Sequence, residues 1–118
     1  MLLGLRTVIY AAPDLEKTKT WYAAALNMLP YFDELFYVGF NVGGYELGLI
    51  PDAPIADGST VTYWGVADIE TAFAYFIGQG AIEHGPVTDV GDGIKTATLR
   101  DPFGNVVGLI ENPHFALT

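Results

Sequence analysis

Thr7–Met28 reads TVIYAAPDLEKTKTWYAAALNM, and Val61–Gly78 reads VTYWGVADIETAFAYFIG. Each starts with a β-branched and aromatic run, passes through an aspartate, and continues with apolar residues at three- and four-residue spacing. That order predicts a strand that turns, through an aspartate N-cap, into an amphipathic helix. At an offset of 54 residues Asp14 meets Asp68, Leu15 meets Ile69, Trp21 meets Tyr75 and Tyr22 meets Phe76. A duplicated module explains this better than chance.

Working outward, the first strand covers residues 5–12 and its helix runs from Leu15 to about Asn27, with Leu15, Thr18, Trp21, Tyr22, Ala25 and Leu26 as its apolar stripe. Tyr31–Glu34, Phe36–Val42 and Tyr45–Ile50 read as three strands, the last two joined by Gly43-Gly44, a dipeptide suited to a hairpin turn. In the second half Thr60–Ala67 is a strand and Ile69–Gly78 a helix stopped by Gly78-Gln79-Gly80. Glu83–Val90, Ile94–Arg100 and Asn105–Glu111 follow as strands, the last two linked by the turn residues DPFG. The expected fold is α+β: two βαβββ modules, residues 1–52 and 60–112, whose curved mixed sheets enclose a pocket, with a linker at 51–59. One helix covers only one face of each four-stranded sheet, so the other face needs a sister module, a ligand or a partner chain.

Composition narrows the function. The chain has 118 residues, 51% hydrophobic and 16% charged, the balance of one domain with a real core. With no cysteine, disulfide frameworks, zinc fingers, iron–sulfur clusters and thiol catalysis are excluded. A net charge of −9, with only Arg6, Lys17, Lys19, Lys95 and Arg100 as cations, argues against nucleic acid and anionic membranes as partners. No signal-peptide pattern or spanning run is present, which makes the cytoplasm the expected location. Gly91-Asp92-Gly93 suits a hairpin or rim loop but no phosphate cradle, because no helix follows it. Ser59 is the only serine and has no histidine near it in sequence, which leaves a serine hydrolase unsupported.

With these residues in hand, the chain resembles the glyoxalase/bleomycin-resistance/dioxygenase, or vicinal-oxygen-chelate, superfamily. The likeness rests on the strand, Asp-Leu start and Trp-Tyr pair of Thr7–Met28, the strand YELGL, the second start VADIETAF and the run LRDPFGNVVGLIEN. The resemblance implies two modules curved around a pocket, and frequently a homodimer. It also implies, in metal-dependent members, a divalent ion held by one residue from the first and one from the last strand of each module. Those positions fall here on Thr7, Val61, Glu46 and Gly108. Only Glu46 is a strong donor, so no metal site and no cofactor are expected, unless the ligand register is displaced. His84 and His114, the only histidines, read as exposed loop residues.

Alternation places Glu46 on the strand face shared with Gly44 and Gly48, opposite Leu47 and Leu49, and it points into the cavity if the helix packs on the leucine face. A carboxylate there is the one catalytic candidate, as general base or as acceptor for a ligand. Thr7, Ile9, Val61, Tyr63, Gly108 and Ile110 fall on pocket faces by period two, and Tyr37 and Asn41 are further lining candidates. Such a lining is apolar with few polar handles, which suits a flat or aromatic molecule. Trp64, Trp21 and Tyr22 are expected in the helix–sheet core, and Arg100 beside an acidic neighbour or at the pocket mouth. The leading expectation is a metal-independent binder of a small, partly aromatic molecule. The alternatives are a lyase, isomerase or dioxygenase-type enzyme using Glu46 as base or in an atypical metal site, and an interaction module with no ligand.

Overall fold

The structure is a computed structural model and describes residues 2–52, 60–103 and 105–116. The linker-like residues 53–59 and the turn glycine at 104 therefore lie outside the described residues. In chain order the elements are β1 (Gly4–Ala11), α1 (Leu15–Leu26), β2 (Phe32–Glu34), β3 (Tyr37–Val42), β4 (Tyr45–Ile50), β5 (Thr60–Gly65), α2 (Ile69–Gly78), β6 (Ile82–Gly91), β7 (Ile94–Arg100) and β8 (Val106–Glu111). The protein is α+β, as the repeated strand–helix pattern requires. Among the described residues no helix is long and apolar enough to cross a membrane.

The chain divides into two compact units, one on Thr7–Thr60 and the other on Val61–Ala116 together with the residues up to Arg6. In the first, the strand order is β2-β3-β4-β1, with β2/β3 and β3/β4 antiparallel and β1/β4 parallel. In the second the order is β6-β7-β8-β5, with β6/β7 and β7/β8 antiparallel and β5/β8 parallel. The duplication in sequence is thus a duplication of topology. The parallel pair in each unit is the pair whose crossover contains the helix, the length of connection parallel strands require.

Both helices start where the aspartates put them. The Asp14 carboxylate accepts from the Lys17 N–H at 3.1 Å, and the Asp68 carboxylate from the Thr71 N–H at 3.2 Å. Asn27 closes α1 in the left-handed region, at φ 54°, which asparagine tolerates better than most residues. In the first unit Ala12, Val38, Phe40 and Leu49 are buried against Leu15, Tyr22, Ala23 and Leu26 of α1. In the second, Val66, Ile69, Ala72, Ala97, Leu99 and Leu109 form the core, with Phe73 and Phe76 of α2 packed on it.

Two expectations need correcting. Trp21 is not in the core: it is 63% exposed and meets the edge of Tyr22 at a centroid distance of 4.8 Å. At 100° per residue the contacting stripe is Leu15, Tyr22, Ala23 and Leu26, and Trp21 lies about 140°, roughly two fifths of a turn, from its centre. His84 is exposed as expected but sits in β6 rather than in a loop, where its Nδ1 is 2.9 Å from the Thr98 hydroxyl. β6 is an edge strand whose pairing shifts register three times, and this lets Pro86 sit inside it.

Candidate functional site

In the first unit a two-residue turn sets the register that builds the site. Gly43 and Gly44 take φ values of 64° and 92°, a conformation costly for other residues, and the Asn41 amide oxygen accepts the Gly44 N–H at 2.9 Å. The turn brings Asn41 opposite Glu46 and Gly39 opposite Gly48, while β1 brings Thr7 beside Glu46 and Ile9 beside Gly48. Val38, Phe40, Leu47 and Leu49 are committed to the α1 side. By alternation Thr7, Ile9, Tyr37, Gly39, Asn41, Glu46 and Gly48 share the opposite face.

Glu46 is the centre of that face. Its Oε1 accepts from the Thr7 hydroxyl at 3.2 Å and from the Tyr37 hydroxyl at 2.6 Å, and its Oε2 accepts from the Tyr31 hydroxyl. The two tyrosines reach it because two glycines lie beneath them. A Cβ on Gly39 would come within 2.7 Å of Glu46 Oε2 and 3.0 Å of the Tyr31 ring, and one on Gly48 within 2.8 Å of Tyr37 Cζ. Thr7 is only 6% exposed, whereas Tyr31 remains 63% exposed on the segment between α1 and β2. One carboxylate thus gathers three neutral hydroxyl donors on a surface otherwise supplied by glycine, isoleucine and aromatic rings.

Burial, and after it the hydrogen bond to Glu46 and that group's negative charge, push the Tyr31 hydroxyl well above the ordinary phenol range. Tyr31 is consequently a neutral donor. In the second unit burial alone raises Tyr63. Both phenols hold their protons more tightly in the folded chain than in the unfolded one. Their stabilising contribution is therefore complete below pH of about 10 and declines as pH rises through the folded values. A spectrophotometric titration of tyrosinate is expected to show a late phase that shrinks in Tyr31→Phe and in Tyr63→Phe. Unchanged late phases in both variants would contradict the assignment.

The remaining sequence candidates lie on the second unit's sheet. Tyr63 pairs with Gly108 and Gly65 with Ile110, and the Tyr63 ring covers Gly108 so closely that a Cβ there would lie 2.5 Å from Cδ1. Val61 is two residues before Tyr63 in β5, on the same strand face. The ladder also refines the correspondence between modules. Thr7 stands beside Glu46, but Gly108 stands beside Tyr63, the register that Gly48 holds beside Ile9. Continued by one residue, the second ladder makes Val61 and Val106 the counterparts of Thr7 and Glu46. The second module has six more residues between its first and last strands, judged from the pairs Ala11–Ile50 and Gly65–Ile110, so the offset of 54 in the first strands becomes 60 in the last, which sets Gly108 against Gly48 and Val106 against Glu46.

Of the residues read from sequence, then, the structure joins Thr7, Tyr37 and Glu46, places Ile9 one rung away, and uses Asn41 to fasten the turn. Tyr31 is the member that sequence reasoning missed. Its signal was indirect: two glycines at face positions of adjacent strands leave a floor that neighbouring rings can cross. A shallow groove beside Trp21, lined by Asp14, Glu16, Lys17 and Thr20, is on α1 and does not include Glu46.

A divalent cation does not fit this donor set. Glu46 is the only anionic member, and its lone pairs are directed at three O–H groups. Among the described residues no three His, Cys, Asp or Glu side chains stand close enough to hold a metal.

The family model described as the Glyoxalase/Bleomycin resistance protein/Dioxygenase superfamily matches residues 4–109. Among solved structures, a variant of Streptomyces coelicolor methylmalonyl-CoA epimerase in complex with 2-nitronate-propionyl-CoA is similar with a TM-score of 0.78 and 16% identity, over 96% of this chain and 99% of that one. A hypothetical protein from Bacillus halodurans C-125 has a TM-score of 0.77 at 16% identity, over 97% of each chain. A glyoxalase/bleomycin resistance protein/dioxygenase superfamily member from Vibrio splendidus 12B01 has a TM-score of 0.67 at 15% identity, over 92% of this chain and 99% of that one. No curated protein matches the chain. At these identities the structural likenesses concern the fold.

Proposed function

This chain belongs to the Glyoxalase/Bleomycin resistance protein/Dioxygenase superfamily, and from that membership we propose that it is a metal-independent binder of a small, partly aromatic molecule. The ligand lies on the sheet face that carries Glu46, against the rings of Tyr31 and Tyr37. The observation that carries this reading is the state of Glu46: its carboxylate is held by three hydroxyls and is not arranged as one ligand of a metal set. The glycine floor, Ile9 and the two rings supply flat apolar contact, and the carboxylate supplies the few polar points that orient a ligand. A role for Glu46 as a general base has less support, because a base needs a lone pair aimed at the substrate proton and three of the roughly four acceptor sites of this carboxylate already receive the protein's own donors.

The reading also has the chain acting as a homodimer. Leu29, Leu35 and Phe36, which are 84%, 93% and 65% exposed, give it apolar surface to cover, and sedimentation equilibrium tests this.

A thermal-shift screen with uncharged, cationic and anionic aryl compounds tests the binding function. A compound present at about a hundred times its Kd adds roughly 2.7 kcal/mol to the folded state. At least one class is expected to raise the melting temperature of the native chain, with a smaller rise in Glu46→Gln. If no aryl compound of any charge raises it, the binding function is wrong.

A further inference from the structure

We propose that the ligand is an organic cation, an aryl amine or amidine, whose N–H displaces the Tyr31 hydroxyl from Glu46 Oε2. This deepens the binding reading above and rests on it.

The first observation is an uncompensated charge. Among the described residues, the side chains that donate to Glu46 are all neutral hydroxyls. Two of the chain's cations have partners of their own: Lys19 lies 2.9 Å from Glu16 and 3.1 Å from Asp33, and the Arg6 guanidinium stacks on the Phe115 ring at 3.8 Å. An anionic ligand would bring a second negative charge to Glu46, whose donors among the described residues are all neutral. A protonated amine or amidine supplies the missing charge.

The second observation is that the three donors differ. Oε1 takes two hydroxyls, from Thr7 in β1 and Tyr37 in β3, and both strands are paired on the sheet. Oε2 takes only Tyr31. A carboxylate oxygen accommodates about two donors, so Oε2 is the atom with capacity left. Tyr31 also has the greatest freedom to leave. It is 63% exposed and lies outside the strands, with its backbone N–H donating to the Gly39 carbonyl at 2.9 Å.

Together these make Tyr31 an internal stand-in for the ligand's donor. A charged N–H bond to a carboxylate is roughly twice as strong as a neutral one, so an amidine outcompetes the phenol it replaces. Gly39 keeps the approach to Oε2 open, since a side chain there would begin 2.7 Å from that oxygen. The Tyr37 ring remains beside the cation for a cation–π contact, and a net charge of −9 raises the local concentration of cations.

Calorimetric titration of the full chain with benzamidine, benzyl alcohol and benzoate tests the proposal. Benzamidine is expected to bind at least about tenfold more tightly than benzyl alcohol, with benzoate weakest, and Glu46→Gln removes the preference. Tyr31→Phe keeps the ring and deletes the hydroxyl, so benzamidine is expected to bind that variant about five- to tenfold more tightly than the native chain, with benzyl alcohol affected less. Circular dichroism establishes that both variants are folded. If benzyl alcohol or benzoate binds as well as benzamidine, or if Tyr31→Phe leaves benzamidine affinity unchanged or lower, displacement by a cation is wrong while the binding function stands. If none of the three binds, and the wider aryl screen is also negative, both fail.

Discussion

Gly48→Ala is expected to destabilise the protein by about 3–5 kcal/mol and to dismantle the hydroxyl cluster around Glu46, although it adds only one methyl group. Gly48 is buried in the middle of the first unit's sheet, paired with Gly39 on one side and Ile9 on the other. Its φ is not positive, so backbone conformation raises no objection to alanine. On the unfolded-state argument alone, alanine would even stabilise by about 0.4–1 kcal/mol. The clash decides the sign. A Cβ there meets the Tyr37 hydroxyl and lies 2.8 Å from Cζ, so the ring must move off the sheet. Moving it loses a 2.6 Å hydrogen bond to a carboxylate, worth about 1.5–3 kcal/mol, on top of overpacking of about 1–3 kcal/mol. Urea denaturation measures the first effect, and loss of any aryl ligand's thermal shift measures the second. A variant as stable as the native chain would mean that Tyr37 is not seated over Gly48.

Phe40→Ala is expected to cost about 3–5 kcal/mol, enough to bring an ordinary domain to the edge of unfolding. Phe40 is fully buried and packs within the cluster formed by Ala12, Val38, Leu49 and the apolar residues of α1. It also occupies the position between Gly39 and Asn41, which point to the other side of β3. A cavity beneath the strand therefore loosens the register that supports Glu46. The comparison variant is Trp21→Ala. With that residue 63% exposed and resting on Tyr22 through one edge contact, its loss is expected to cost less than about 1.5 kcal/mol. Chemical denaturation of the two variants separates the outcomes. Equal losses would place Trp21 in the core, as its apolar character alone suggests.

That pair shows where sequence reading reaches its limit. The aspartates at 14 and 68 located both helix starts to the residue, because capping is a local bond between a side chain and an N–H three positions on. Gly43-Gly44 located the β3–β4 hairpin for the same kind of reason. The stripe on α1 was legible at Leu15, Tyr22 and Leu26 but not at Trp21 and Ala25, which are exposed, nor at Ala23, which packs on the core in their place, since spacing identifies an apolar side of a helix but the sheet decides which part of that side it covers. For Glu46, alternation set it opposite Leu47 and Leu49, and the packing of those leucines with α1 turned it away from the helix. Tyr31 was not legible, because its approach to Glu46 depends on a side chain that is absent, at position 39 of β3.

By itself the sequence determined the duplicated βαβββ pattern, the α+β class, the caps and turns, and the shortage of metal-ligating side chains at the positions where its relatives' resemblance called for them. Each of these depends on residues close in the chain or on composition. Only the tertiary structure decided that three hydroxyls from β1, β3 and the segment before β2 converge on one carboxylate of β4. It likewise showed, through the strand ladders, that the counterpart of Glu46 in the second module is Val106, two residues before the Gly108 to which sequence reading assigns the ligand register. Both depend on strand register, which is set by pairing between distant segments and by the number of residues between them. A displacement of two residues preserves every alternation that a sequence can show while changing which side chains stand next to each other.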